Sequence, residues 1–351
     1  MIFYRTGSTD PHFNLAFEEY TVRAAGDETV FMLWQNSPSV IIDRNQNAFA
    51  EIDIAFAEAH GIPAVRRLTG GGAVYHDLGN VNYTFVAPAK DGAVLDYAGF
   101  CAPLIDALRT LGVDASLSGR NDIVCDGRKI SGSAQCVTHG HVLHHGTLLW
   151  SADTGVMSAV LTPDAEKLRS KGIRSTASRV GSIREMLRAP GGSGAGGLTE
   201  NAGPGGCSAG LPYISADSTA SDFMNWLASY VCASEKCDVR YPSEREAGEA
   251  RRLMKEKYAT WEWNYGRSGH FEASSSRRFP YGTVTAEYTL EGGRIASVRF
   301  SGDFFGASPV SELAERLGGC RCSGPELVRA LGGVGGYIEG AAPEEIAALF
   351  M

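Results

Sequence analysis

Positive charge is in short supply. Against 32 Lys and Arg stand 40 Asp and Glu, a net charge of −8, and no basic block occurs. A chain-wide footprint for nucleic acid is therefore missing, which leaves only a local basic pocket open. Long apolar runs are missing too. None approaches the ~18 residues of a membrane-crossing helix, and Arg5 and Asp10 interrupt the opening MIFYRTGSTD where a secretory core must be apolar. The 8 cysteines are spread too thinly over 351 residues for a disulfide scaffold. What remains is 44% apolar and 21% charged, an ordinary globular balance, long enough for two domains or one large and one small. The expectation is a soluble cytoplasmic protein without a nucleic-acid or membrane partner.

The first 190 residues alternate strands and helices. HFNLAFEEYTVRAA (12–25) reads as a helix started by Asp10 and Pro11. VFMLW (30–34) and SVII (39–42), separated by the turn-like NSP, read as a hairpin. AFAEIDIAFAEAHG (48–61) and GFCAPLIDALRTLG (99–112) read as helices closed by glycine. Residues 190–210 hold 9 of the 43 glycines, the composition of a solvated loop. The formal G-x-G-x-x-G at Gly192, Gly194 and Gly197 is a decoy, since no strand precedes it and no helix opens from it. Helices follow at 220–233 and 244–261, then the alternating pair GTVTAEYTL and RIASVRF (282–300) around a glycine turn, a strong hairpin signal. Short helices are expected at 308–318 and 324–332, and a domain boundary between about 245 and 262.

Chemistry concentrates in two stretches. In Arg66-Arg67-Leu68-Thr69-Gly70-Gly71-Gly72-Ala73-Val74-Tyr75-His76-Asp77, three glycines allow close backbone approach and aim N–H groups at an anion. The two arginines before them can grip phosphate or carboxylate. The plainer alternative is a hairpin turn with surface arginines, and no G-K-[ST] makes it a Walker loop. In Gly119-Arg120-Asn121-Asp122-Ile123-Val124-Cys125-Asp126-Gly127-Arg128-Lys129, Asp126-Gly127 fits a two-residue turn. Lys129 then precedes Ser131, Gly132, Ser133 and Ala134, small residues that leave room for a ligand over the sheet. Against that stands an edge-strand lysine that only blocks aggregation. The histidines 139, 141, 144 and 145 with Cys136 lack a zinc spacing, and a strand with a packed His145 fits better.

Taken together, RRLTGGGAVYHDLGNVNYTF (66–85), GRNDIVCDGRKISGSAQ (119–135), HHGTLL (144–149) and KLRSKGIRSTASRVGSI (167–183) resemble bacterial lipoate–protein ligases. FNLAFEE (13–19) and RNQN (44–47) fit as well, and WEWNYG (261–266) with 282–305 resembles their accessory C-terminal domain. Asp43 departs from the glycine usual before Arg-x-Gln-Asn, and the insertion at about 190–212 has no counterpart.

The resemblance implies an α+β catalytic domain (1–245), with the mixed sheet shared with biotin ligases, and a small α+β domain (262–351). It implies that free lipoate, ATP and Mg²⁺ give lipoyl-AMP and pyrophosphate. The lipoyl group then passes to a lysine of an apo lipoyl domain of a 2-oxoacid dehydrogenase complex or of the glycine-cleavage H protein. Lys129 matches the family's active-site lysine, which contacts both the lipoyl carbonyl and the phosphate. Arg67, Gly72, Ala73, Val74 and Tyr75 match the adenylate-binding loop, with Asn80 and Asp122 as further contacts. Two alternatives stay open: an octanoyl or lipoyl transferase of the same superfamily that works through a cysteine thiolate (Cys125 or Cys136), and a catalytically silent carrier-binding module.

Overall fold

The computed structural model describes residues 1–46, 48–89, 95–161, 180–187, 211–235, 237–265, 273–291, 294–320 and 324–350. The insertion and most of the 167–183 segment lie outside the described residues. The strands of the larger part are β1 (Ile2–Arg5), β2 (Val30–Trp34), β3 (Ser39–Ile42), β4 (Ala64–Arg66), β5 (Val74–His76), β6 (Asn80–Pro88), β7 (Ser116–Ser118), β8 (Asp122–Cys125), β9 (Arg128–Thr138), β10 (His141–Leu149) and β11 (Asp238–Arg240). They form one mixed sheet in the order β11-β1-β2-β6-β10-β9-β8-β7 and a smaller one in the order β4-β3-β5.

The expected hairpin of VFMLW with SVII is not formed. Both strands are buried along their whole length, so each needs partners on both edges and cover on both faces. β2 finds them in β1 and β6, and β3 finds them in β4 and β5. The NSP link carries the chain from one sheet to the other instead of folding it back. The Asp126-Gly127 turn does form, with φ of 50° and 70°, and joins β8 to β9.

The large sheet is covered on both faces, as the alternation of β1 illustrates. Phe3 packs with Phe31, Phe85, Leu104, Phe223 and Trp226 under the helices Tyr97–Thr110 and Ala220–Glu235. Tyr4 points the other way, to Phe17, Met32, Trp34 and Ala250 under the helices Pro11–Ala24 and Glu244–Leu253. The expected helix over 48–61 is two short ones, Ala48–Glu51 and Ile54–Ala59. Asp53 interrupts it, because its carboxylate accepts from the Phe56 N–H at 2.9 Å and caps the second.

The expected 244–261 helix starts with a capping box between Ser243 and Glu246, loosens into a π turn at Met254–Tyr258 and restarts at Trp261–Asn264. This segment is anchored on Glu19, which receives the Tyr258 hydroxyl at 2.6 Å and the Lys257 ammonium at 2.7 Å. A separate core, including Val284, Phe300, Leu313, Leu331 and Phe350, belongs to the antiparallel sheet β12 (Ala273–Phe279), β13 (Gly282–Glu291) and β14 (Arg294–Gly302). The short helices Val310–Leu317 and Gly324–Ala330 cover it.

Candidate active site

The two sheets and the tip of the C-terminal part enclose a cavity of ≈ 170 Å³. One wall is a row of neighbouring positions across the large sheet, Trp34 (β2), Asn82 (β6), Thr147 (β10) and Gly132 (β9). The facing wall is Ile41, Arg67, Gly71, Gly72, Ala73, Val74 and His76 from the small sheet and its glycine loop. Phe305 closes one side.

Lys129 enters from the turn of the β8–β9 hairpin and lies across Gly132. A Cβ at Gly132 would stand 2.6 Å from the Lys129 Nζ, so the glycine is what lets the amine rest over the strand. Its partner is Asp122, with Nζ to Oδ1 at 2.8 Å, and both are about a third exposed at 37% and 36%. The charge is thus held at the cavity by a pair that water screens.

The arginines do something else. Arg66 was expected to help grip an anion, but it is fully buried and pairs within the fold. Its guanidinium donates to the carbonyls of Asp43, Gln46, Trp263 and Asn264 at 2.6–2.9 Å. It clamps the WEWN segment onto β4, and Trp263 Nε1 donates back to the Arg66 carbonyl at 2.8 Å. Arg67 lines the cavity, yet four of its five N–H donors reach Thr69 Oγ1 and the carbonyls of Ile41, Gly70 and Gly72 at 2.8–3.1 Å. It fixes the shape of the glycine loop. Gly71 sits at φ +121°, open to glycine, where a Cβ would also stand 2.9 Å from the Arg67 Nη2.

Behind the loop runs a buried chain of hydrogen bonds. Glu18 receives the His145 Nδ1–H at 2.9 Å and the Thr84 hydroxyl at 2.7 Å, and Trp34 Nε1 donates to Thr84 at 3.0 Å. His145 Nε2 meets the Thr69 hydroxyl at 2.7 Å. The packed His145 read from the sequence is therefore also a cavity wall, joined to Arg67 through Thr69. Burial, Arg67 and His145 push the His76 imidazole down to about 3, so it is neutral.

Lys129, Arg67, Gly72, Ala73 and Val74 thus meet at one cavity, and three other sequence-expected residues do not line it. Tyr75 turns away from Val74 and His76 into the core around Val40 and Ile42, where burial pushes its hydroxyl up to about 12. Asn80 is buried and hydrogen-bonded to Asn82 at 2.8 Å, and Asp122 touches the cavity through Lys129. Sequence reading missed His76 and Asn82, although the two-residue period of a strand puts His76 on the face of Val74. Neither Cys125 nor Cys136 lines the cavity; burial raises both thiols, that of Cys136 to about 12.

The C-terminal part reaches the site through one loop. Phe305 lies under the Arg120 guanidinium at 4.1 Å and meets Tyr97 edge-on at 6.0 Å. Arg120 also pairs with Glu339 at 3.2 Å. Gly70 permits this approach, because a Cβ there would stand 2.4 Å from the Phe304 carbonyl.

A family model described as the lipoyl protein ligase A/B catalytic domain matches residues 10–192, and one described as the bacterial lipoate protein ligase C-terminus matches residues 268–350. The chain belongs to the lipoate–protein ligase family. Lipoate-protein ligase LplJ of Bacillus subtilis is 38% identical over 316 residues, covering 88% of this chain and 87% of that protein. The crystal structure of P. falciparum LipL1 in complex with lipoate shares the fold, with a TM-score of 0.73 at 22% identity over 95% of this chain and 94% of that one. A lipoate-protein ligase A structure bound with ATP gives a TM-score of 0.57 at 26% identity over 76% of this chain and 99% of that one. The matched ranges take in β2 to β10 for the catalytic domain and β12 to β14 for the C-terminal domain, and the resemblance read from the motifs holds.

Proposed function

We propose that this ligase activates free lipoate with ATP and passes the lipoyl group to a lysine of an acceptor protein. In the first step a lipoate carboxylate oxygen bonds to the α-phosphorus of ATP, and the α–β phosphoanhydride bond breaks to release pyrophosphate. In the second step the acceptor amine attacks the carbonyl carbon, the bond to AMP breaks, and the amine gives its proton to solvent. Negative charge builds first on the phosphate and then on the carbonyl oxygen, and a fixed cation with backbone donors aimed there lowers both barriers.

The observation that carries the reading is the placement of Lys129. Its amine lies over Gly132 at one end of a largely apolar cavity, beside a glycine loop already shaped by Arg67. We assign the reacting oxygens to Lys129 and the adenylate to the loop Gly72-Ala73-Val74-Tyr75, with Arg67 as its frame. Tyr75 serves through its backbone, since its ring is buried elsewhere. Asn80 acts through Asn82, and Asp122 holds Lys129 until substrate arrives. Mg²⁺ on nucleotide phosphates needs only one or two protein carboxylates, and Asp122 beside Lys129 fits that need, where the ion would neutralise phosphate charge.

We read residues 1–245 as the catalytic unit and 262–351 as the accessory unit, on the ground of the separate core of the latter's sheet, with the segment through Asn264 packed on the catalytic side. The acceptors we propose are apo lipoyl domains of 2-oxoacid dehydrogenase complexes and the glycine-cleavage H protein, modified in the cytoplasm. Among the described residues no helix is long and apolar enough to cross a membrane.

The deciding experiment is pyrophosphate release from ATP and Mg²⁺ without any acceptor protein. Release that requires added lipoate is the expected result. Absence of release, with transfer seen only from an acyl carrier protein, would overturn the reading in favour of a transferase.

A further inference from the structure

We propose that the outer edge of β11 is a self-association surface, where a second copy of this chain pairs antiparallel about a two-fold axis at Val239. The inference does not depend on the ligase reading. It concerns the end of the large sheet beyond β1, away from the cavity wall that begins at Trp34 on β2.

β11 ends the eight-stranded sheet, and among the described residues no strand pairs with its outer side. The ladder to β1 shows which backbone groups are left over. The Asp238 N–H donates to the Met1 carbonyl at 3.0 Å, and the parallel register sets Asp238 against Ile2 and Arg240 against Tyr4. Asp238 and Arg240 thus spend their N–H and C=O groups on β1, and those of Val239 between them point outward. An antiparallel copy centred on its own Val239 presents the same two groups. The two valines then exchange both hydrogen bonds as a closely spaced pair, which is what a two-fold axis requires.

Charge selects the same partner and the same register. With valine opposite valine, Asp238 faces Arg240 of the second copy, and Arg240 faces its Asp238. The sequence Asp-Val-Arg is therefore complementary to itself when read antiparallel. Within one chain Arg240 donates to Asp238 through Nε at 2.7 Å, with the two side chains 45% and 61% exposed. In the pair, four such charges alternate in sign around the axis. An edge guarded against its own kind would set like charges opposite each other instead.

Apolar surface waits on the other face of the strand. Val239 and Tyr241, two residues apart, are 56% and 64% exposed, among the most open of the large apolar side chains. Pairing covers each valine with its counterpart and brings each Tyr241 within diagonal reach of the valine across the axis. The exposed ion pairs add little affinity and mainly fix the register. With three strand residues a side the contact is small, so the dimer is weak and depends on concentration.

The test is sedimentation equilibrium of the full chain at about 1–100 µM. The expected mass rises from one chain toward two across that range. Val239→Pro removes the outward N–H without touching the β1 ladder and should hold the mass at one chain. Asp238→Arg and Arg240→Asp should each do the same alone, because each sets like charges across the axis. An equal mixture of those two variants should regain the two-chain mass, since opposite charges then meet again. Melting curves of all three variants confirm folding. A one-chain mass at every concentration of the unsubstituted chain would overturn the proposal. So would a dimer that the folded variants retain, which puts the contact elsewhere, or a mixture that does not recover.

Discussion

Arg67 is 5% exposed and spends four N–H donors on Thr69, Ile41, Gly70 and Gly72, whereas Lys129, on the same cavity, is 37% exposed and holds one ion pair with Asp122. The first arrangement is costly to disturb, because each carbonyl released inside the fold would lose its partner. The second is cheap to exchange, since a screened surface pair is worth at most ~1 kcal/mol and a substrate phosphate or carboxylate replaces Asp122 readily. One cation builds the site, and the other is the one that the proposed function puts to work in it. Burial separates these roles more sharply than residue type does, for an arginine fork is the better phosphate grip in principle and is here already committed.

The largest effect expected from that contrast is on the rate with Lys129→Ala. Lipoate-dependent pyrophosphate release should fall by about 10²–10³-fold, the usual loss of one charged donor at a developing oxyanion, while the melting temperature stays within a degree or two of the parent. A full rate with a folded variant would reverse the roles assigned to the two cations. Arg67→Ala should do the opposite. It should lower stability by ~2–3 kcal/mol through the unpaired carbonyls of the loop, measurable in urea, and lose activity with the shape of the loop. Arg67→Lys should restore little, because a point charge cannot serve four acceptors placed for a fork.

A smaller effect isolates position from charge. In Gly132→Ala the new methyl would stand 2.6 Å from the Lys129 Nζ, and the flexible lysine end moves aside at little cost in stability. The amine keeps its charge but leaves its place over β9. A rate loss of about 10-fold with an unchanged melting curve is expected, given how steeply catalysis falls with misplacement. If the rate is unchanged, Lys129 does not need the site over Gly132.

How much of this was legible before folding depends on the sequence distance of the partners. The Lys129 hairpin is local: Asp126-Gly127 makes its turn and small residues follow, so its form and its open face were both readable. The glycine loop was readable as a loop, and the period of β5 would have sorted His76 from Tyr75. Arg66 was misread because its acceptors at Trp263 and Asn264 lie almost two hundred residues on. The Glu18–His145 pair and the approach of Phe305 to Gly71 are equally non-local. VFMLW and SVII failed as a hairpin for a related reason, since a fully apolar strand states that it is buried but not between which neighbours.

The contrast also has a pH signature. Burial, then His145, pushes the His144 imidazole down to about 3 among Phe85, Tyr97 and Phe100, and His76 is held equally low in the cavity wall. Both stay neutral in the native state while the unfolded chain takes up a proton on each near pH 6.5. The unfolded state then binds more protons, so stability is complete above about pH 6.5 and drains away as pH falls from there toward 3. Each histidine contributes at most ~1.4 kcal/mol per pH unit in that window. His144→Phe should remove one share of the slope between pH 6.5 and 4.5, read as urea midpoints across pH. Lys129→Ala should leave the slope as it was, because the acid sensitivity resides in the buried histidines and not in the exposed cation. A slope that follows Lys129 instead would mean that the exposed pair with Asp122, rather than the buried imidazoles, sets the acid limit of the fold.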